Sequence, residues 1–147
     1  MLSSMLPTVL AKEHLKPPMK VLLVEDSALL RDVITENLKD CKQLDITQFA
    51  VTQSEAIALL DSQQFDMLLV DIELAEGNGF EVIKHTKTSD YTYKAPVLII
   101  LTNNSHPHYR NFARQLDVQY YFDKSMDFEL AMETILREAA KFPIVNI

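Results

Sequence analysis

The sequence predicts an α/β protein built on a parallel sheet, and two observations support this prediction. Short apolar runs rich in Val, Ile and Leu alternate with segments of helical periodicity. Uninterrupted apolar runs are typical of strands that are buried on both faces of a parallel sheet. Four of these runs also lead directly into residues with charged or hydroxyl side chains. Because parallel strands place their carboxyl ends at one edge, we expect these side chains to meet there, where open α/β sheets bind ligands.

The alternation of strand and helix continues through most of the chain. We predict strands near residues 20–24, 45–50, 66–70, 96–101 and 120–122. The predicted helices cover 27–40 and 54–62, begin near 79, follow 107, and cover 125–141. Apolar residues recur at helical spacing in the first helix, as Leu30, Ile34 and Leu38 show, and again in the last. Such stripes are typical of helix faces that pack on a core, so we assign them no functional role.

Composition limits the protein to a few classes. Its 147 residues, 48% of them hydrophobic, suffice for one well-buried core but not for a second domain of ordinary size. A net charge of -7 argues against electrostatic binding to nucleic acid or an anionic membrane, and favours a protein partner. Cys41 is the single cysteine, so no internal disulfide can form. Without a transmembrane or signal-peptide pattern, we predict a cytoplasmic protein.

The chain divides into three predicted parts. Residues 1–18 form an N-terminal extension, 19–141 the domain, and 142–147 a C-terminal tail. Pro7, Pro17 and Pro18 bracket the extension, which we expect to be flexible. A short amphipathic helix that docks on the domain or on a partner is the alternative, because apolar residues in the extension fall at helical spacing. These residues are Leu2, Met5, Leu6, Val9 and Leu10.

Acidic residues follow two of the predicted strands. Glu25 and Asp26 come directly after the first strand, and Asp71 follows the third. At about 5 Å and an effective dielectric constant of about 20, each pair of carboxylates repels by roughly 3 kcal/mol. A hard divalent cation such as Mg²⁺ would neutralise them and leave room for water and a phosphoryl oxygen. The alternative is that Glu25 and Asp26 only cap the first helix beside Ser27.

A hydroxyl and an ammonium group complete the predicted site. Thr102 follows the fourth strand, and Lys124 follows the fifth. A carboxylate nucleophile, a cation, a lysine and a hydroxyl are the groups that phosphoryl transfer requires. The chain has only two glycines, Gly77 and Gly79, and both lie in the loop after Asp71, where tight turns near a ligand need backbone freedom. Together these features predict a phosphoryl site.

Four motifs give the chain a family resemblance over residues 19–141. They are VLLVEDS at 21–27, DMLLVDIELAEGNGFEV at 66–82, VLIILTNN at 97–104 and YYFDKS at 120–125. The chain resembles a receiver domain of two-component response regulators, in particular a stand-alone regulator of the chemotaxis type. The resemblance implies a doubly wound, flavodoxin-like parallel sheet of five strands in the order 2-1-3-4-5, with five helices.

The resemblance also implies a phosphoryl acceptor and a metal site. Asp71 would accept a phosphoryl group from a histidine kinase or a phosphotransfer protein. Asp26 would bind Mg²⁺ directly and Glu25 through water, while Asp71 and the backbone carbonyl of Glu73 would complete the protein ligands. The domain would not be an enzyme acting on a separate substrate, although it would assist its own phosphorylation and dephosphorylation.

Three further residues would transmit the signal in such a family member. Thr102 and Lys124 would contact the phosphoryl group, and Tyr121 would be the aromatic switch that moves inward behind Thr102. A downstream protein would bind the surface made by the fourth helix, the fifth strand and the fifth helix, which includes Arg110 and Arg114. The resemblance implies no direct contact with nucleic acid or a membrane.

The sequence departs from the family pattern at three positions. Ala75 stands where proline is usual, so we expect a slightly looser loop. Ser125 also replaces a proline; we therefore predict a trans bond after Lys124 and expect Ser125 to be the N-cap of the last helix. Asn103 replaces a small residue, which would narrow access to the phosphoryl group.

Three functional hypotheses follow. The first is a phosphorylated switch that signals by docking to another protein. The second is a receiver-like adaptor that is never phosphorylated, although an adaptor has no need of Asp71, Thr102 and Lys124 together. The third is a hydrolase with an aspartate nucleophile, for which Glu73 is a poor substitute for the usual second aspartate.

Overall fold

The computed structural model describes residues 17–142 and contains one parallel sheet with helices on both faces. The strands are β1 (Met19–Val24), β2 (Leu44–Ala50), β3 (Met67–Val70), β4 (Val97–Thr102) and β5 (Tyr120–Asp123). The helices are α1 (Ala28–Leu38), α2 (Gln53–Ser62), α3 (Gly79–His85), α4 (Pro107–Gln115) and α5 (Phe128–Ala140). The strand order is β2-β1-β3-β4-β5, and every pairing is parallel. The predicted fold class, strand order and number of helices are confirmed.

Alternating side chains of each strand form the two halves of the core. Along β1, Leu22 and Val24 pack with residues of α2, α3 and α4, whereas Val21 and Leu23 pack with α1 and α5. Each residue of the central strand β3 is at most 1% exposed. The predicted stripe on α1 is confirmed, since Ile34 and Leu38 are buried and Leu30 packs against the same cluster. Burial on both faces explains why the strands are continuous apolar runs.

Side-chain caps begin four of the helices; at the start of α4, His106 Nδ1 accepts a hydrogen bond from the backbone N–H of His108 at 3.0 Å. Ser27 accepts a hydrogen bond from the backbone of Leu30 at the start of α1, and Thr52 and Asn78 cap α2 and α3 in the same way. Such caps satisfy amide groups that have no partner within the helix. Because Ser27 caps α1, the carboxylates of Glu25 and Asp26 are not needed for that purpose.

The prediction that Ser125 caps the last helix is wrong. Helix α5 begins at Phe128, and its N-cap is Asp127. Ser125 instead donates both its backbone N–H and its hydroxyl to the carboxylate of Asp123, at 2.8 and 2.6 Å. The bond between Lys124 and Ser125 is trans, as predicted, and so is every other peptide bond within residues 17–142.

The predicted N-terminal extension and C-terminal tail lie outside the described residues, except for Pro17, Pro18 and Phe142. The proposed flexibility of the extension and its alternative, a docking helix, therefore stay predictions. Among residues 17–142, no helix is long and apolar enough to cross a membrane.

Candidate functional site

The acidic residues predicted to meet do lie together at the carboxyl edge of the sheet. Glu25 and Asp26 follow β1, Asp71 follows β3, and the last residues of these strands, Val24 and Val70, are paired. Carboxylate oxygens of the three acids lie within 4.8 Å of one another. Glu25 and Asp71 are buried, whereas Asp26 is exposed at the mouth of the cluster. Oxygen ligands at this spacing fit a hard divalent cation.

The Lys124 side chain bridges the two buried carboxylates. Its Nζ lies 2.8 Å from Glu25 Oε1 and 2.6 Å from Asp71 Oδ2. Burial alone would lower the pKa of the Lys124 ammonium, but the hydrogen bonds to Asp71 and Glu25 outweigh it and raise that pKa above its ordinary value. The lysine is therefore charged and neutralises part of the acidic cluster.

Glu25 is buried and hydrogen-bonded, although its neighbour Asp26 is exposed. Its side chain is 2% exposed, and its Oε2 accepts a hydrogen bond from the backbone of Ser27 at 3.0 Å. Burial raises the pKa of Glu25, while the hydrogen bonds from Lys124 and Ser27 oppose that shift. The guanidinium of Arg31 donates to the Glu25 carbonyl at 2.7 Å, which fixes the backbone between β1 and α1.

Thr102 ends β4 at the same edge and is 1% exposed. Its hydroxyl accepts a hydrogen bond from the backbone N–H of Asn104 at 3.3 Å. Its carbonyl accepts one from the backbone N–H of Lys124 at 2.8 Å. The structure therefore brings together four of the predicted site residues at four adjacent strand ends: Glu25, Asp71, Thr102 and Lys124.

Tyr121 lies in β5, one strand away from Thr102, and faces the α4 side of the sheet. Its hydroxyl donates to the backbone carbonyl of Asn104, in the loop after Thr102. The guanidinium of Arg110 lies 4.6 Å from the centre of the Tyr121 ring, within the range of a cation–π contact. Burial raises the pKa of Tyr121 to about 12, with Arg110 opposing the shift. The ring is thus half-buried and attached to both α4 and its preceding loop.

The loop after Asp71 approaches the site through backbone groups. Glu73 N–H donates to Asp71 Oδ1 at 3.3 Å, which places Glu73 beside the acidic cluster. Gly79 packs so closely that an added Cβ would lie 2.2 Å from the Asp71 carbonyl oxygen. Gly77 has a φ of 76°, a conformation that favours glycine. Both glycines are therefore required by the backbone path.

The substitution of Ala75 for proline adds a hydrogen bond to this loop. Its N–H donates to the Val51 carbonyl at 3.1 Å, and a proline has no N–H to do so. The nearby Gln53 adds two more bonds, from its N–H to the Glu76 carbonyl at 2.9 Å and from Asn78 N–H to its Oε1 at 3.1 Å. These hydrogen bonds tie the loop to the residues at the start of α2, and so they oppose the loosening that we expect from Ala75 in place of proline.

Sequence reasoning assigned no role to Gln53 or Asp123, and it did not place Arg110 on Tyr121. The carboxylate of Asp123 accepts three hydrogen bonds from the turn that follows Lys124. An Asp two residues before a Ser is a signal for such a turn. The contacts of Gln53 and Arg110 join elements that are distant in sequence, so no local pattern reveals them.

Comparison with known families identifies the domain. The model of the response regulator receiver domain matches residues 21–136, most of the chain. The chain belongs to the response regulator receiver family. Among solved structures, a LuxR-family DNA-binding response regulator from Staphylococcus aureus is similar in fold, with a TM-score of 0.70 and 24% identity. That alignment covers 82% of this chain and 98% of the other. The receiver domain of HemR from Leptospira biflexa has a TM-score of 0.68 and 25% identity, covering 85% and 95% of the two chains.

Curated relatives of this receiver are longer proteins. The transcriptional regulatory protein CitB of Klebsiella pneumoniae is 27% identical over 80% of this chain and 49% of its own length. The sensory transduction protein LytT of Bacillus cereus is 29% identical over 80% of this chain and 46% of its own. The chain thus spans about half the length of these relatives.

Proposed function

We propose that this receiver accepts a phosphoryl group on Asp71 from a histidine kinase or a phosphotransfer protein, and signals by binding another protein. One observation carries the proposal: the Lys124 ammonium joins the buried carboxylates of Asp71 and Glu25 at 2.6 and 2.8 Å. Buried ion pairs add little net stability, because the desolvation of the charges offsets their attraction. Clusters of buried charged groups are instead typical of functional sites, so this arrangement favours a chemical role over a purely structural one.

In the proposed reaction, a carboxylate oxygen of Asp71 attacks the phosphorus of a phosphohistidine. The new P–O bond forms as the P–N bond breaks, and the bonding electron pair stays on the histidine nitrogen. The product is an acyl phosphate on Asp71. Lys124 already lies beside Asp71, where its positive charge would stabilise the negative phosphoryl oxygens.

The acidic cluster fits Mg²⁺, which receiver domains generally bind. The side chains of Glu25, Asp26 and Asp71 and the carbonyl of Glu73 would hold the ion. When bound, Mg²⁺ supplies positive charge that offsets the repulsion between the carboxylates and the incoming phosphoryl group. Asp26 is open to solvent, so it is accessible to an entering ion, whereas Glu25 is buried.

The readout would pass through Thr102 and Tyr121. Phosphorylated Asp71 would attract the Thr102 hydroxyl, and Tyr121 would then move inward and shift a pre-existing equilibrium between two states. Because Tyr121 contacts Arg110, such a movement would reach α4 directly. We therefore propose that a downstream protein binds the surface formed by α4, β5 and α5. We also propose that the domain acts in the cytoplasm and binds neither nucleic acid nor a membrane.

The proposal is tested by phosphorylating the purified protein with acetyl phosphate or a phosphorylated kinase in the presence of Mg²⁺. Intact-mass spectrometry is expected to show one added phosphoryl group, labile to base and hydroxylamine. Asp71→Asn should abolish it. Asp66→Asn is the matched control, since Asp66 precedes the same strand at its opposite end and its carboxylate accepts a hydrogen bond from the backbone N–H of Lys20 at 2.8 Å.

Two outcomes would contradict the proposal. Equal labelling of the Asp71→Asn variant would place the acceptor elsewhere. No labelling of the wild type by any donor, together with kinase binding that persists in Asp71→Asn, would favour the adaptor hypothesis instead.

A further inference from the structure

The turn between β5 and α5 is organised by the side chain of Asp123. Its Oδ1 accepts hydrogen bonds from Ser125 N–H at 2.8 Å, from the Ser125 hydroxyl at 2.6 Å and from Met126 N–H at 3.0 Å. The residue is 7% exposed. These bonds, led by that of the Ser125 hydroxyl, lower the pKa of Asp123 to about 2. Asp123 is therefore a buried, ionised acceptor without a bond to any active-site cation.

Asp127 closes the same turn from the other side. Its Oδ2 accepts a hydrogen bond from Asp123 N–H at 3.0 Å, and its own N–H donates to the Asp123 carbonyl at 2.9 Å. Although Asp127 is the N-cap of α5, its carboxylate makes no capping bond to the helix. Both aspartates thus serve the turn, and Lys124 lies between them in the chain.

The turn determines where the Lys124 backbone lies. On its β4 side, Lys124 N–H donates to the Thr102 carbonyl at 2.8 Å. On its α5 side, the only residue between Lys124 and the Asp123-bound Met126 is Ser125, and Ser125 is itself bound twice to Asp123. A proline at position 125 would lack the N–H that donates to Asp123. A proline here would thus remove both bonds that Ser125 donates to Asp123 and leave the one from Met126 N–H.

We propose that Asp123 is a positioning residue for Lys124: by fixing the turn of residues 123–127, it holds the lysine ammonium between Glu25 and Asp71. The inference rests on the proposed function for its catalytic consequence, but the placement of the ammonium can be measured without it. Among the described residues, the Asp123 carboxylate makes no hydrogen bond or ion pair with Glu25, Asp71 or the Lys124 ammonium; outside its own turn it interacts with the Ser105 hydroxyl. Its effect on the site would therefore pass through Lys124.

This role predicts opposite effects on two ligands. Lys124 and Mg²⁺ both place positive charge near Glu25 and Asp71, so a displaced lysine leaves Mg²⁺ affinity equal or higher. A phosphoryl group gains from the lysine, so its binding and transfer become weaker. General damage to the fold would instead weaken both ligands. A variant that keeps its Mg²⁺ affinity but loses phosphoryl transfer would therefore show that Asp123 positions Lys124 and does not merely stabilise the fold.

The first test observes the ammonium directly. In ¹⁵N-lysine-labelled protein without ligands, the Lys124 ammonium should give a slowly exchanging NMR signal, assigned by its loss in Lys124→Ala. The signal should vanish in Asp123→Ala and return in Asp123→Asn, whose amide oxygen can accept the same bonds. Thr52→Ala is the control, because it also removes a side-chain acceptor at a helix start, 3.1 Å from Glu55 N–H, but far from Lys124 in the chain.

The second test compares the two ligands. Asp123→Ala should slow the maximal rate of phosphorylation by acetyl phosphate at least about tenfold, since a displaced charged donor loses its effect on the reacting group. Its Mg²⁺ dissociation constant, measured from the ion's effect on tyrosine fluorescence, should not increase. Asp123→Asn should restore most of the rate. Ser125→Ala, which removes only the hydroxyl donor, should give a smaller loss in the same direction and keeps the test decisive if Asp123→Ala does not fold.

The inference is overturned if the Lys124 signal is unchanged in Asp123→Ala, or in Ser125→Ala where that variant must stand in. It is also overturned if the wild type shows no slowly exchanging Lys124 ammonium, or if Mg²⁺ affinity and phosphorylation decline together. A wild type that keeps the ammonium signal but accepts no phosphoryl group would contradict the proposed function alone.

Discussion

Lys124 Nζ and Asp71 Oδ2 lie 2.6 Å apart, although the two residues are 53 positions apart in the sequence. The pair shows how the parallel sheet assembles a site, because β3 and β5 deliver their following residues to the same edge. It also means that the resting site already contains a cation. Any metal ion that binds the acidic cluster must share the carboxylates of Glu25 and Asp71 with the lysine.

The first prediction concerns Mg²⁺ and stability. A ligand that binds only the folded state stabilises it, and a dissociation constant of ~1 mM gives about 1.4 kcal/mol at 10 mM ion. We therefore expect the unfolding temperature to rise by several degrees with 10 mM MgCl₂. Asp26→Asn should reduce this gain by removing a charged oxygen ligand that is not paired with Lys124. Differential scanning fluorimetry measures both.

Asp32→Asn serves as the control for that experiment. Asp32 is an exposed residue of α1 outside the acidic cluster, so the same change of charge should leave the Mg²⁺ effect intact. A wild-type unfolding temperature that does not respond to Mg²⁺ would count against the metal site.

The second prediction concerns the two glycines. In Gly79→Ala the new Cβ would lie 2.2 Å from the Asp71 carbonyl oxygen, so the backbone of the acceptor must move. Overpacking of this kind costs about 1–3 kcal/mol. We expect Gly79→Ala to lower the free energy of unfolding, measured with urea, and to reduce the Mg²⁺-dependent gain as well.

Gly77→Ala is the comparison. Its Cβ would lie 2.2 Å from Gln53 Oε1 and 2.4 Å from Gln53 Cβ, so the clash falls on Gln53 and not on the Asp71 backbone, and the positive φ adds a cost of about 1–2 kcal/mol. Gly77→Ala should therefore lose similar stability but keep more of its response to Mg²⁺. Equal loss of the Mg²⁺ response in both variants would show that displacement of the Asp71 backbone does not cause the loss in Gly79→Ala.

The sequence suffices to predict the sheet and the residues at its edge. Continuous apolar runs such as Met67–Val70 identify buried parallel strands, and parallel strands place Asp71 and Lys124 at one edge without any knowledge of their contacts. The positions of the strands and of the residues at their ends follow from patterns that are local in the sequence. The order of the strands, in contrast, is implied only by the family resemblance.

Side-chain alternatives of similar energy are harder to predict. Ser125 can cap a helix or bond to a neighbouring carboxylate, and both choices use the same hydroxyl. The structure selects Asp123 as its partner, which delays the start of α5 to Phe128. The stacking of Arg110 on Tyr121 depends on how α4 lies against β5, and no spacing in the sequence records that distance.

The third prediction concerns acid stability. The pKa of Asp123 is lowered from its ordinary value to about 2, so below about pH 4 the unfolded chain takes up a proton that the folded protein refuses. The contribution of Asp123 is therefore present at neutral pH and is lost as the pH falls from about 4 to about 2. Urea unfolding at several pH values should show a shallower decline over this range in Asp123→Asn than in the wild type. Parallel curves for the two proteins would contradict the assignment.

The fourth prediction concerns the switch. The Tyr121 hydroxyl donates to the Asn104 carbonyl and its ring contacts Arg110, so an inward movement must break the first contact and alter the second. With Mg²⁺ and beryllofluoride as a phosphoryl mimic, NMR should show its largest remote shifts on α4, β5 and α5, including Arg110, Arg114 and Gln119. Thr102→Ala should reduce these remote shifts and leave Mg²⁺ binding intact, because the hydroxyl that would respond to the phosphoryl group is gone.

Thr86→Ala is the matched control for Thr102→Ala. Thr86 is also a buried threonine, but it lies at the C-terminal end of α3, where its hydroxyl donates to the Ile83 carbonyl. Loss of that hydroxyl should affect stability and leave the remote shifts unchanged. Tyr121→Phe separates the two contacts further, since it removes the bond to Asn104 and keeps the ring beneath Arg110. If beryllofluoride binds but the shifts stay within the loops around Asp71, the protein does not transmit phosphorylation to this surface, and a relay that only carries the phosphoryl group becomes the better explanation.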